Sequence, residues 1–157
     1  MPMREADRRW LREAVEVSRG CPPSATAFSV GAIILSGDGE VLAMGHSREG
    51  DPRDHAEEAA LAKITGTRLM GVTIYSSLEP CSARDSRPRS YTGLILAAGI
   101  ERVVFAWREP AVFVDCVGAE TLREAGVEVV EIADLADLVR QVNAHLLGSP
   151  PKGMLSL

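Results

Sequence analysis

Aromatic residues make up only 4% of this 157-residue chain, so its core has to be built from aliphatic side chains. Cysteine is scarce too. Cys21, Cys81 and Cys116 are an odd number and cannot all pair, which argues against a disulfide framework and for a reducing, cytoplasmic setting. No apolar run reaches the length of a membrane span, and the charged, helix-patterned stretch from Met1 to Arg12 is unlike a signal peptide. A basic excess is also missing. Seventeen Lys and Arg stand against 22 Asp and Glu, a net charge of −5, which argues against sequence-independent nucleic-acid binding. Neither a nucleic acid nor a membrane is expected as partner.

What is present is ordinary for a globular domain: 46% hydrophobic and 25% charged residues. One domain is expected over residues 1–148, with a loose tail at 149–157 that holds Pro150 and Pro151. Residues 4–19 read as an amphipathic helix whose stripe is Trp10, Leu11, Ala14, Val15 and Val17, stopped at Gly20 to Pro23. Phe28 to Leu35 and Val41 to Met44 read as a hairpin across Gly37-Asp38-Gly39. A helix from about His55 to Ile64 follows, then a strand at Val72 to Ser76, a helix at Tyr91 to Ala98 and a strand at Arg102 to Ala106. Ala119 to Ala125 reads as helix, Val127 to Ile132 as strand, and Ala133 to Leu147 as the last helix. Strands separated by single helices favour parallel neighbours, while the opening hairpin is antiparallel. The pattern predicts an α/β fold, a three-layer α/β/α sandwich on a mixed five-stranded sheet.

Two short motifs carry the chemistry. The first is His55-Ala56-Glu57 at a helix start. By itself it is explained by a capping box from Asp54 to Glu57, although a histidine there also favours the neutral, metal-binding imidazole. The second is Ser76-Ser77-Leu78-Glu79-Pro80-Cys81, a thiol just past a strand end, where α/β sheets build sites. Standing alone, Cys81 would be a small buried hydrophobe.

Taken in order, the hairpin, His-Ala-Glu, the strand and Pro-Cys before another helix resemble the cytidine/deoxycytidylate deaminase superfamily, whose signature is H-x-E followed by P-C and a second cysteine. Within it the chain is most similar to the deaminase domain of the bifunctional riboflavin-biosynthesis protein, on the strings Leu78-Glu79-Pro80-Cys81-Ser82 and Ala97-Ala98-Gly99. The likeness runs roughly from Phe28 to Ile132. It implies a cytidine deaminase-like fold, one zinc per chain on His55 and Cys81, and Glu57 as the catalytic proton carrier. It also implies a pocket wall at Phe28, backbone contacts to a ring edge from Ala56 and the Ser76–Leu78 stretch including Ser77, and a homodimer.

The second cysteine is absent. Counting nine residues on from Cys81 reaches Ser90, and counting back from Ala97-Ala98-Gly99 reaches Tyr91. The helix landmark favours Tyr91 as the third-ligand position, since helices shift less than loops. A phenol, with a pKa near ~10, ionises on a metal less readily than a thiol near ~8.5. The candidates for a nonstandard third ligand are Asp85, Tyr91 and Cys116, with weak binding or loss of the metal as the other outcomes. Ala27 stands where superfamily members often carry an Asn, and Ser47 where the riboflavin-type domain has a histidine. Both argue against the riboflavin intermediate itself. His46, next to it, reads as a solvated loop residue. Arg84, Arg87 and Arg89 beside Cys81 can grip a phosphate or carboxylate, or simply pair with Asp85 and Glu79 in solvent. Cys116 is implied to approach the substrate, with a buried structural thiol as the plainer reading. The leading expectation is a zinc-dependent hydrolytic deaminase of a small amino-substituted heterocycle, a pyrimidine nucleoside, nucleotide or related metabolite. The rival is a metal-poor deaminase fold kept as a binding or assembly module. A tRNA adenosine deaminase is disfavoured by the acidic charge.

Overall fold

The computed structural model describes residues 5–21, 29–49, 56–64, 71–78, 91–107 and 118–144. Its elements are α1 (Glu5–Ser18), β1 (Gly31–Leu35), β2 (Val41–His46), α2 (Ala56–Ala62), β3 (Thr73–Leu78), α3 (Tyr91–Ala98), β4 (Arg102–Trp107), α4 (Gly118–Glu124) and β5 (Glu128–Glu131). A short 3-10 turn (Ala133–Leu135) then leads into α5 (Ala136–Val142). The sheet has five strands in the order β2-β1-β3-β4-β5. β1 is antiparallel to both β2 and β3, while β3, β4 and β5 run parallel.

The expected α/β/α sandwich on a mixed sheet is the architecture found. Several boundaries differ. β1 begins at Gly31 rather than at residue 28, and Ser29 and Val30 precede it as irregular chain. β2 and β3 each run two residues further than the sequence pattern indicated, to His46 and Leu78. The last helix opens with the 3-10 turn, and Asn143 closes it. The helix between β2 and β3 does not make those strands neighbours, because β1 is inserted between them.

Two glycines let helices press on both faces of the opening hairpin. A Cβ on Gly31 would lie 2.0 Å from the Ala14 carbonyl oxygen and 2.6 Å from the Ser18 nitrogen, so α1 rests directly on β1. A Cβ on Gly45 would lie 2.5 Å from the Ala60 nitrogen and 2.7 Å from the Ala56 oxygen, so α2 rests on β2. Gly31 pairs with His46 and Ala32 with Gly45, which puts the two glycines on opposite faces. α1 and α5 pack on one face; α2, α3 and α4 share the other. Between them lies a mainly aliphatic core that includes Leu11, Ile33, Ile34, Ile74, Ile95, Val103, Val104 and Leu122, but its largest fully buried side chain is the aromatic Phe105.

The buried stripe of α1 is not wholly apolar. Asp7 and Ser18 join Leu11, Ala14 and Val15 on it, while Trp10 and Val17 sit half-buried at its margin. Asp7 is fully enclosed. Arg102 at the start of β4 grips it with a two-pronged pair, Nη1 to Oδ1 at 2.7 Å and Nη2 to Oδ2 at 2.6 Å. The Tyr75 hydroxyl donates to Oδ1 at 2.8 Å, and Arg102 Nε donates to Glu128 at 2.8 Å. These hydrogen bonds, those to Asp7 above all, raise the guanidinium pKa further above its usual value although burial opposes the charge.

Asp7→Ala is expected to cost about 3–5 kcal/mol, read from urea denaturation, because it leaves a buried guanidinium without its main counter-charge. Gly31→Ala is expected to lower the unfolding free energy, read from urea denaturation, by about 1–3 kcal/mol or more, since the α1 backbone has to move to admit the methyl.

Candidate functional site

The topology gathers one edge of the sheet. Parallel β2, β3 and β4 end there, antiparallel β1 begins there, and α2 and α3, which follow β2 and β3, start there. Edges where strands end and helices begin are where open α/β sheets hold their sites.

Glu57 lies in the first turn of α2 and is 2% exposed. A carboxyl group this enclosed needs hydrogen-bond partners. Ser76, fully buried in β3, donates its hydroxyl to Glu57 Oε2 at 2.6 Å, and the same oxygen lies 2.8 Å from the Leu78 carbonyl. Strand alternation explains the choice of serine. Tyr75 points to the α1 face, where it meets Asp7, so Ser76 points to the face that α2 covers. Ser77 points away again, and its hydroxyl accepts from the Gly31 amide at 3.1 Å. The Ser77 side chain therefore ties β3 to β1, and the hydroxyl that reaches Glu57 is that of Ser76. Ala56 is fully buried at the α2 start, against Gly45.

The β1 entrance is held by a second set of polar bonds. The buried side chain of Asn143, just past α5, accepts from the Ser29 amide at 2.6 Å and donates to the Ser29 carbonyl at 3.1 Å and the Val139 carbonyl at 3.0 Å. The Ser47 hydroxyl accepts from the Val30 amide at 3.0 Å and lies 3.2 Å from Cys21 Sγ. Ser47 is thus part of the sheet edge, 4% exposed. Arg48 adopts φ +59°, a conformation uncommon outside glycine, and its Nη2 donates to Ser29 Oγ at 3.2 Å. His46 closes β2 and is half-buried, with Nδ1 3.0 Å from the Ser47 carbonyl, rather than being a solvated loop side chain. Near it, Lys63 holds the Glu49 carboxyl below its ordinary range, chiefly through a 2.7 Å contact.

Tyr91 is the first residue of α3. Phe28, His55, Cys81, Arg84, Asp85, Arg87, Arg89, Ser90 and Cys116 lie outside the described residues. Among the described residues, no three His, Cys, Asp or Glu side chains form a group that could hold a metal. Ser76 and Asn143 are functional-edge residues that the motifs did not single out as side chains. Alternation along β3 carried a signal for Ser76. Asn143 was traceable only as an extension of the stripe of Leu135, Ala136 and Val139.

Residues 4–107 match the family described as the cytidine and deoxycytidylate deaminase zinc-binding region. A diaminohydroxyphosphoribosylamino-pyrimidine deaminase of Schizosaccharomyces pombe is 36% identical over 148 residues, covering 91% of this chain and 36% of its own length. The riboflavin biosynthesis protein RibD of Aquifex aeolicus is 32% identical over 146 residues, covering 90% of this chain and 38% of its own. The crystal structure of a diaminohydroxyphosphoribosylaminopyrimidine deaminase/reductase from Thermotoga maritima superposes with a TM-score of 0.74 at 28% identity, over 94% of this chain and 42% of that one. The chain spans well under half the length of each of these relatives.

Asn143→Leu is expected to leave the buried Ser29 backbone groups without their partner, at about 1–3 kcal/mol for each. Urea denaturation measures the cost, and faster amide exchange at Ser29 locates it.

Proposed function

Since this chain belongs to the cytidine and deoxycytidylate deaminase family, we propose that it is a hydrolytic deaminase that removes the exocyclic amine of a small aminopyrimidine. The observation that carries this reading is the enclosed Glu57 carboxylate, directed by Ser76 at the sheet edge where α2 and α3 begin. A carboxylate so placed can take a proton from water, deliver it to a ring nitrogen, and protonate the departing amine.

The donor chemistry fits zinc at two positions, the imidazole of His55 and the thiol of Cys81, which flank α2 and follow β3 in sequence. Tyr91, opening α3 at the same edge, offers a phenol where the family has a thiol. Bound there, zinc would lower the pKa of a water from ~15.7 toward ~7. The chain's own part is to keep Glu57 in place and to hold the edge of the ring with backbone near Ala56 and Leu78. The names of the relatives bring phosphoribosylamino-pyrimidines into the assay set, while Ala27 and Ser47 argue against the riboflavin intermediate itself, so cytidine nucleosides and nucleotides are assayed beside them. Arg87 and its neighbours Arg84 and Arg89 would grip a substrate phosphate. A cytoplasmic homodimer acting on a small molecule completes this reading.

The residue at position 91 favours one rival: the same fold kept as a binding or assembly module without turnover. Elemental analysis of the purified chain separates the two. About one zinc per chain supports the hydrolase; none, after growth with added zinc, supports the module. Glu57→Gln is expected to lower kcat by about 10²-fold or more with the thermal unfolding midpoint held. Undiminished turnover overturns the role given to Glu57.

A further inference from the structure

Ser76 Oγ sits between two oxygens, 2.6 Å from Glu57 Oε2 and 2.8 Å from the Leu78 carbonyl, and both side chains are enclosed. A hydroxyl has one proton and cannot donate fully to both acceptors. The bond to Glu57 is the shorter of the two, so the hydroxyl is directed chiefly at the carboxyl group. The Leu78 carbonyl lies on the hydroxyl's other side. Leu78 is itself held, as the last residue of β3, in register with Trp107 of β4.

The geometry points to Ser76 as a positioning residue for the deamination. Its hydroxyl fixes the roll of the Glu57 carboxylate about Cγ–Cδ, and with it the direction in which the other carboxylate oxygen points. Glu57 stands on α2 and Ser76 on β3, so the bond also ties the helix carrying the proton carrier to the strand that leads to Cys81. Small misplacements of a reacting group cost rate heavily. Ser77, one residue on, cannot substitute, because its hydroxyl is on the Gly31 amide.

This inference rests on the deaminase reading above, and its test separates the two. Threonine and valine share a shape and differ in the hydroxyl, so Ser76→Thr and Ser76→Val are compared in the full chain, with Ser76→Ala as the smaller variant. Ser76→Val and Ser76→Ala are expected to lower kcat by about 10–100-fold with KM within about twofold, while Ser76→Thr stays within a fewfold of wild type. Equal losses in Thr and Val, or an unchanged kcat in folded Ser76→Val or Ser76→Ala, overturn it. Crystal structures provide the readout that needs no turnover. The Glu57 carboxylate plane is expected to rotate by more than about 20° in Ser76→Val and Ser76→Ala but not in Ser76→Thr. A carboxylate unmoved in all three overturns the positioning role. Wild-type inactivity on every aminopyrimidine, with the plane still rotating, defeats the deaminase reading and leaves the positioning role standing.

Discussion

The buried Asp7–Arg102 pair is the constraint on which the remaining layers depend. It joins the first turns of α1 to the start of β4, and Tyr75 and Glu128 extend it across β3 and β5. An enclosed ion pair of this kind adds little net stability over a well-packed apolar substitute, because desolvation offsets most of the attraction. Its effect is one of registration. Only one placement of α1 satisfies both charges, and that placement brings the α1 backbone down on Gly31. Helix, hairpin and central strands therefore settle together.

Once α1 is seated, the second face follows from Gly45 and from the path of the chain. The connection from β2 through α2 to β3 passes over β1, so α2 starts at the edge where β3 ends. This is what brings Glu57 within hydrogen-bond distance of a serine 19 residues away in sequence. On the opposite face α5 finishes at Asn143, whose amide holds the chain just before β1. The candidate site is thus braced from both faces of the sheet, by hydroxyl and amide groups whose partners are mostly backbone.

Much of this was legible in the chain itself. The short apolar runs, bounded by glycine turns and helix stops, located all five strands. The strings around Glu57 and Cys81 led to the deaminase family that the match over residues 4–107 establishes. The weaker readings were those where one residue type serves two purposes. Asp7 lies on the amphipathic first helix, where nothing local announces a guanidinium 95 residues away. Ser47 reads as a lost substrate contact, yet its hydroxyl caps the Val30 amide. Ser76 and Ser77 are the same residue type on adjacent positions, and only the pleat assigns one to the carboxylate and the other to the sheet.

By itself, the sequence determined the kind of sandwich, the family and the carboxylate that the chemistry needs. Those are properties of local pattern and of short contiguous motifs, which survive in a linear string. Tertiary structure alone decided that β1 lies between β2 and β3, that Asp7 is paired in the core, and that Ser76 rather than Ser77 meets Glu57. Each is a contact between residues far apart in the chain. Such contacts arise only when burial forces polar groups to find partners across the packed core.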